Sequence, residues 1–84
     1  DDEGYHKESL EMAEQGLEFC VKYGNLFFFP ILVANKGVAL AGLGKMAEAK
    51  EQLHQAIVIF KAMKQNDRIQ PIIDWCRTNY EIEF

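Results

Sequence analysis

Few side chains in this 84-residue chain are of types that do chemistry, and their spacing joins none of them into a catalytic set. Ser9 is the only serine and Thr78 the only threonine, which leaves little material for a hydroxyl nucleophile. His6 and His54 stand far apart on different predicted helices, so each reads as a surface or half-buried histidine rather than a ligand. Cys20 and Cys76 form no Cys-x-x-Cys pair and have no histidine cluster beside them. They read as two buried thiols of a reducing, cytoplasmic compartment, not as a zinc site. Glu48, Glu51 and Glu81 form no paired carboxylate site, and Gly42-Leu43-Gly44-Lys45 lacks the spacing of a phosphate-binding loop. No catalytic residue, no metal and no cofactor are expected, and the chain reads as a binding module rather than an enzyme. One polar residue stands out. Asn35 sits inside the apolar stretch 26–44, and its amide offers a donor and an acceptor together.

The elements that position Asn35 follow from periodicity. Leu10, Ala13, Leu17 and Cys20 recur every three or four residues, and Met12, Phe19 and Tyr23 make a second stripe on the same segment. Met46, Ala49, Leu53, Ala56, Ile57 and Phe60 form the longest clean stripe. No run alternates in the period-two way of a half-buried strand. Gly24-Asn25, Gly44 and Asn66-Asp67 are stop signals, with Asn25 and Asp67 placed to cap the second and fourth helices. The expectation is all-α, with helices over 5–23, 28–43, 46–64 and 68–81. Pro30 and Pro71 lie so far past the two caps that the second and fourth helices are expected to begin nearer the prolines.

Charge narrows the partners. Seven acids stand against one lysine in residues 1–18, and the whole chain carries −4, which argues against direct nucleic-acid binding. The stretch 26–44 approaches membrane-span length, but Asn35 and Lys36 fall at its centre, where a charge costs about 3 kcal/mol. It is read as a buried helix, with no membrane partner.

The signals also repeat. Asn25 and Asp67, and likewise Pro30 and Pro71, are separated by little more than 40 residues. A shift of 40 lays Ser9, Ala13, Gly16, Leu17 and Cys20 on Ala49, Leu53, Ala56, Ile57 and Phe60. The central unit resembles a tetratricopeptide repeat. Gly37 matches the glycine of that pattern, Leu40 takes the tyrosine slot and Leu43-Gly44 makes the turn. Ala49-x3-Leu53 matches Ala-x3-Phe, and Ala56 is the further small residue. Val33 and Lys36 depart from the usual Trp and Leu, and no proline closes the unit. The roughly 40-residue period resembles the subtype found in bacterial peptide-sensing transcription regulators, kinesin light chains and scaffold proteins.

The resemblance implies an antiparallel helix-pair solenoid, cut from a larger one. Residues 5–23 would be the second helix of one repeat, 28–64 a full repeat and 68–81 a first or capping helix. Gly37, Gly44, Ala49 and Ala56 would let the paired helices turn and approach, while Leu40, Leu53 and Phe60 fill the space between them. Asn35 would bond a bound peptide from a groove floored by Ile31, Ala34, Val38 and Ala41, with Asp74 and Arg77 on the next wall. Ile72, Trp75 and Ile82 would form a docking or homodimer patch where not covered. The missing helix before residue 5 would leave the Leu10–Cys20 stripe partly uncovered, or covered by a partner chain. The expected partner is a peptide or protein segment, most concretely as the ligand-sensing part of a bacterial transcriptional regulator. The alternative is a structural scaffold or self-association module with no small ligand.

Overall fold

A computed structural model describes residues 2–84. It is helical throughout, with no strand among the described residues. Four α-helices follow in order: α1 (Asp2–Tyr23), α2 (Phe29–Gly42), α3 (Met46–Ala62) and α4 (Ile69–Tyr80), with a single 3-10 turn at Asn66–Arg68 before α4. None of the described helices is long and apolar enough to cross a membrane.

The helix starts correct part of the expectation. Neither Asn25 nor Asp67 caps a helix. Phe28 and Arg68 hold the N-cap positions, without a side-chain cap hydrogen bond. The prolines explain this. Pro30 is the second residue of α2 and Pro71 the third of α4, inside first turns whose N–H groups have no helical acceptor anyway. The Asn25 N–H instead donates to the Cys20 carbonyl at 2.9 Å and closes α1.

The helix ends share one device. Gly24 (φ +68°), Gly44 (φ +80°), Lys64 (φ +60°) and Glu81 (φ +56°) are all left-handed. After α2, the Lys45 N–H donates to the Leu40 carbonyl at 2.9 Å and the Gly44 N–H to the Ala41 carbonyl at 3.0 Å. After α3, the Gln65 N–H donates to the Phe60 carbonyl at 2.8 Å and the Lys64 N–H to the Lys61 carbonyl at 3.0 Å. These paired bonds satisfy carbonyls that the helix itself leaves open. Lys64, not Asn66-Asp67, therefore ends the third helix. The first three hinges stand 20 residues apart.

α2 occupies the centre and packs against both α1 and α3, while α4 packs on α3. Its composition suits the position. Pro30, Val33, Ala34, Gly37, Ala39, Leu40 and Ala41 are all buried, so the helix is covered on several sides. The larger core cluster joins Val33 and Ala34 to Leu53, Ala56 and Phe60 of α3, Cys76 of α4 and Ile82 of the tail. A smaller one joins Leu40, Ala41 and Ala49. No polar or charged side chain is buried among the described residues, so the core rests on apolar packing alone.

Small residues set the helix separations. A methyl group added at Gly37 would lie 2.6 Å from Leu53 Cγ and 3.2 Å from the Ala49 carbonyl oxygen. One added at Gly16 would lie 3.0 Å from Leu32 Cδ1, and one at Gly42 would collide with the His6 imidazole. The 40-residue shift has a partial counterpart in burial: Ala13 and Leu53 are both buried, Leu17 and Ile57 both half-buried, Cys20 and Phe60 both buried, whereas Ser9 and Gly16 are half-buried where Ala49 and Ala56 are buried.

The stripe Leu10–Cys20 faces α2 and is partly buried. Ala13 and Cys20 are buried and Leu10 and Leu17 half-buried, because α2 takes that face. It is the second stripe that faces outward: Met12 is 66% exposed, Phe19 57% and Tyr23 63%, with Tyr5 in line at 67%.

Cys76 is fully buried in the larger cluster, and burial pushes its thiol above the ordinary 9.0. The unfolded chain therefore loses this proton first as the pH rises. Stability from this group is full below about pH 9 and falls as the pH climbs through the raised folded value. Two results are expected. Both free cysteines, being buried, resist a thiol reagent in the folded protein and react at once in denaturant. The urea midpoint falls between about pH 8 and pH 10, and falls less in Cys76→Ala, as followed by circular dichroism.

Candidate functional site

Asn35 stands exposed on α2, in a groove of about 550 Å³ built by α1, α2 and α4. α2 contributes Leu32, Asn35, Val38 and Ala39. The spacing of three and four residues puts Leu32, Asn35 and Val38 on one side of the helix. Lys36, one residue on, turns away and lines a different groove with Glu14, Gln52 and Gln55. Among the described residues, no side-chain hydrogen bond engages the Asn35 amide. Both of its functions are therefore open to a ligand.

The second wall comes from α4, but not through the residues expected. Asp74 is exposed and accepts a hydrogen bond from Gln70 Nε2 at 2.8 Å. Arg77 is exposed and held by Glu83, with Nε 3.2 Å from Oε1. Neither lines the groove. The groove residues of α4 are Trp75 and Tyr80, whose ring centroids lie 5.3 Å apart. The Trp75 carbonyl accepts from Asn79 Nδ2 at 2.9 Å. Position 74 falls on a different part of α4 from 75, and Arg77 is held by Glu83 of the short tail after the left-handed Glu81.

The third wall is α1, through Tyr5, His6, Ser9, Met12 and Ala13. His6 is half-buried, with its ring 5.4 Å from that of Tyr5 in an edge-on arrangement, and it sits over Gly42. His54 is exposed. No group of acids, histidines and cysteines among the described residues has the geometry of a metal site. Sequence reasoning missed this wall. The signal was present in the Met12 stripe, but nothing in it said that the stripe would face Asn35.

The remaining expected residues divide between groove and core. Val38 lines the groove. Ala34 and Ala41 are buried in core clusters and Ile31 packs against one, so these three are not groove floor. Gly37, Leu40, Ala49, Leu53, Ala56 and Phe60 are all buried, and Gly44 makes the left-handed turn. Of the docking patch, Trp75 is 38% exposed and Ile72 packs against the core, but Ile82 is only 7% exposed. Glu81 turns the chain left-handed there, the Ile82 N–H donates to the Cys76 carbonyl at 3.3 Å, and the side chain folds into the cluster. Ile82 therefore closes the core and offers nothing to a partner.

Chemically, the groove has aromatic and aliphatic walls, one free amide, one imidazole and the hydroxyls of Tyr5, Ser9 and Tyr80, and no Asp, Glu, Lys or Arg lines it. Such a lining suits an uncharged or apolar segment whose backbone needs a hydrogen-bond partner. No family model, curated protein or solved structure matches this chain.

Proposed function

We propose that the chain is a protein- or peptide-binding module of tetratricopeptide-like helix pairs. In this reading it captures a short peptide or protein segment in the groove around Asn35. The observation that carries the reading is the convergence of a free amide with the Trp75, Tyr80, Met12 and Val38 side chains in one open cleft. The amide would bond the backbone of the segment, and the aromatic walls would take its apolar side chains.

Antiparallel pairing of the helices is part of the proposal. It is supported by Gly16 against Leu32 with His6 against Gly42, where one number falls as the other rises. The close contact of Gly37 with Leu53 and Ala49, and the hinges 20 residues apart, support a repeated helix pair.

Trp75 is the only tryptophan, so its fluorescence reports the groove directly. Binders selected from a displayed heptapeptide library are expected to shift Trp75 emission, and Asn35→Ala is expected to weaken them about tenfold, the worth of one or two hydrogen bonds. Asn35 is exposed, so the melting temperature should hardly move. Selected peptides that leave Trp75 emission unchanged and bind Asn35→Ala equally well would sink the reading.

A further inference from the structure

Three large apolar residues stand in a row at the hinge between α1 and α2, and the helices leave all three in solvent. Leu26 is 70% exposed, Phe27 52% and Phe28 50%. The Phe27 and Phe28 rings lie edge-on with their centroids 5.1 Å apart, so the hinge presents apolar surface in more than one direction. Neither ring belongs to a core cluster, whereas the next residue, Phe29, packs against one. A consecutive exposed run of this kind does nothing for the core and marks a surface that meets something else.

Packing brings cations to the same end of the molecule. Gly16 meets Leu32 and Gly42 meets His6, while Val33 and Ala34 cluster with Ala56 and Phe60, and Leu40 and Ala41 with Ala49. The end of α1, the start of α2 and the end of α3 therefore lie together, and the turn into α4 follows directly. The two hinges and the helical turns that adjoin them carry Lys22, Lys61, Lys64 and Arg68, all exposed, against Asp67 alone. Glu18 and Asp74 come next, one turn farther along their helices. No ion pair among the described residues engages any of the four cations. The chain as a whole is at −4, so its charge is divided between a basic end and an acidic remainder.

We infer that this end docks on an anionic lipid surface. Leu26, Phe27 and Phe28 enter the headgroup boundary, and the four cations lie over the acidic headgroups. Charge selects this occupant over a neutral bilayer. Shape selects it over a rigid protein pocket, because a fluid surface closes around neighbouring side chains that point different ways. The acids of α1 stand back from the contact. At 1.5 Å per residue, only Glu18 comes within about 10 Å of the helix end, the screening length in 0.1 M salt. The expectation of no membrane partner rested on the cost of a span. No described helix is long and apolar enough to cross, and a surface contact does not meet that cost. None of these hinge residues lines the Asn35 groove, so lipid docking and peptide capture stand or fall separately.

The test is co-sedimentation of the full chain with lipid vesicles in about 0.1 M salt. Vesicles of phosphatidylcholine with about 30% phosphatidylserine are expected to carry the chain down, and pure phosphatidylcholine vesicles to leave it in solution. Phe27→Ser combined with Phe28→Ser is expected to weaken binding at least tenfold. Both positions are exposed and Phe28 is an N-cap, where serine is favoured, so the circular dichroism spectrum should not change. Lys61→Glu combined with Lys64→Glu is expected to weaken binding at least twentyfold. A chain that stays in solution with the anionic vesicles would overturn the inference, as would binding that either double variant leaves unchanged. Equally strong binding to soluble polyglutamate would assign the cations to an acidic protein instead. A dimer in vesicle-free solution that Phe27→Ser abolishes would assign the hinge to a second copy of the chain. Either result also overturns lipid docking.

Discussion

Gly37→Leu is expected to separate α2 from α3 and unfold most of the chain at room temperature. At this position the two helices approach more closely than a methyl group allows, since even a Cβ would lie 2.6 Å from Leu53 Cγ. Leu53 cannot swing aside, because it is itself wholly buried in the larger core cluster. The Ala49 carbonyl, 3.2 Å from the same point, is backbone and yields only if α3 moves. Overpacking of this kind costs about 3 kcal/mol or more, against roughly 1 kcal/mol recovered by replacing a mid-helix glycine. A chain of this length has on the order of 5 kcal/mol to lose. The contrast is Gly16→Ala. There the added methyl meets the flexible end of Leu32 at 3.0 Å, and the helix-propensity gain is expected to leave stability level or slightly raised. A urea titration followed at 222 nm separates the two. A Gly37→Leu protein that keeps the natural midpoint would mean that α2 and α3 are not packed at this distance.

Leu53→Ala removes the other half of the same contact and is expected to cost about 3 kcal/mol. Leu53 is among the largest wholly buried side chains, and it touches a cluster drawn from α2, α3, α4 and the tail. Deleting three carbons there forfeits transfer free energy and leaves a cavity that four elements would have to collapse together to fill. The urea midpoint should drop without a change of slope. The pair offers a sharper test than either substitution alone. Gly37→Ala should be better tolerated in the Leu53→Ala background than in the natural chain, because the added methyl then enters vacated space. Simple additivity of the two effects would contradict the packing described.

Much of the architecture was legible along the chain. The stripe from Met46 to Phe60 placed α3 almost to the residue, because an amphipathic period and a turn glycine both mark it. Gly24 and Gly44 announced their left-handed turns. Lys64 and Glu81 announced nothing. A lysine or glutamate adopts that conformation only where the turn's hydrogen bonds, and burial of a neighbour such as Ile82, compensate the strain. Asn25 and Asp67 misled, because proline in a first turn fixes a helix start without a side-chain cap.

The candidate site was half legible. Asn35 was visible as a polar group in an apolar run, and Val38 followed from helical spacing. Asp74 and Arg77 looked like a groove wall because they are polar and on the right helix, yet the rotation of α4 turns Trp75 and Tyr80 inward instead. Ile82 looked like a patch residue and became core. Ala34 and Ala41 looked like floor and are packing. In each case local pattern names the helix, while the choice of face depends on what the neighbouring helix covers.

Four helices, two of their four hinges, an apolar core and the glycine and alanine positions that let the helices approach could all be read along the chain. They depend on interactions within a turn or two of backbone. Which stripe of α1 is covered, which face of α4 meets Asn35 and where the tail goes emerged only from the packed arrangement. Those outcomes depend on helix separations set by contacts such as Gly37 against Leu53, between residues far apart in sequence, and no local period records them.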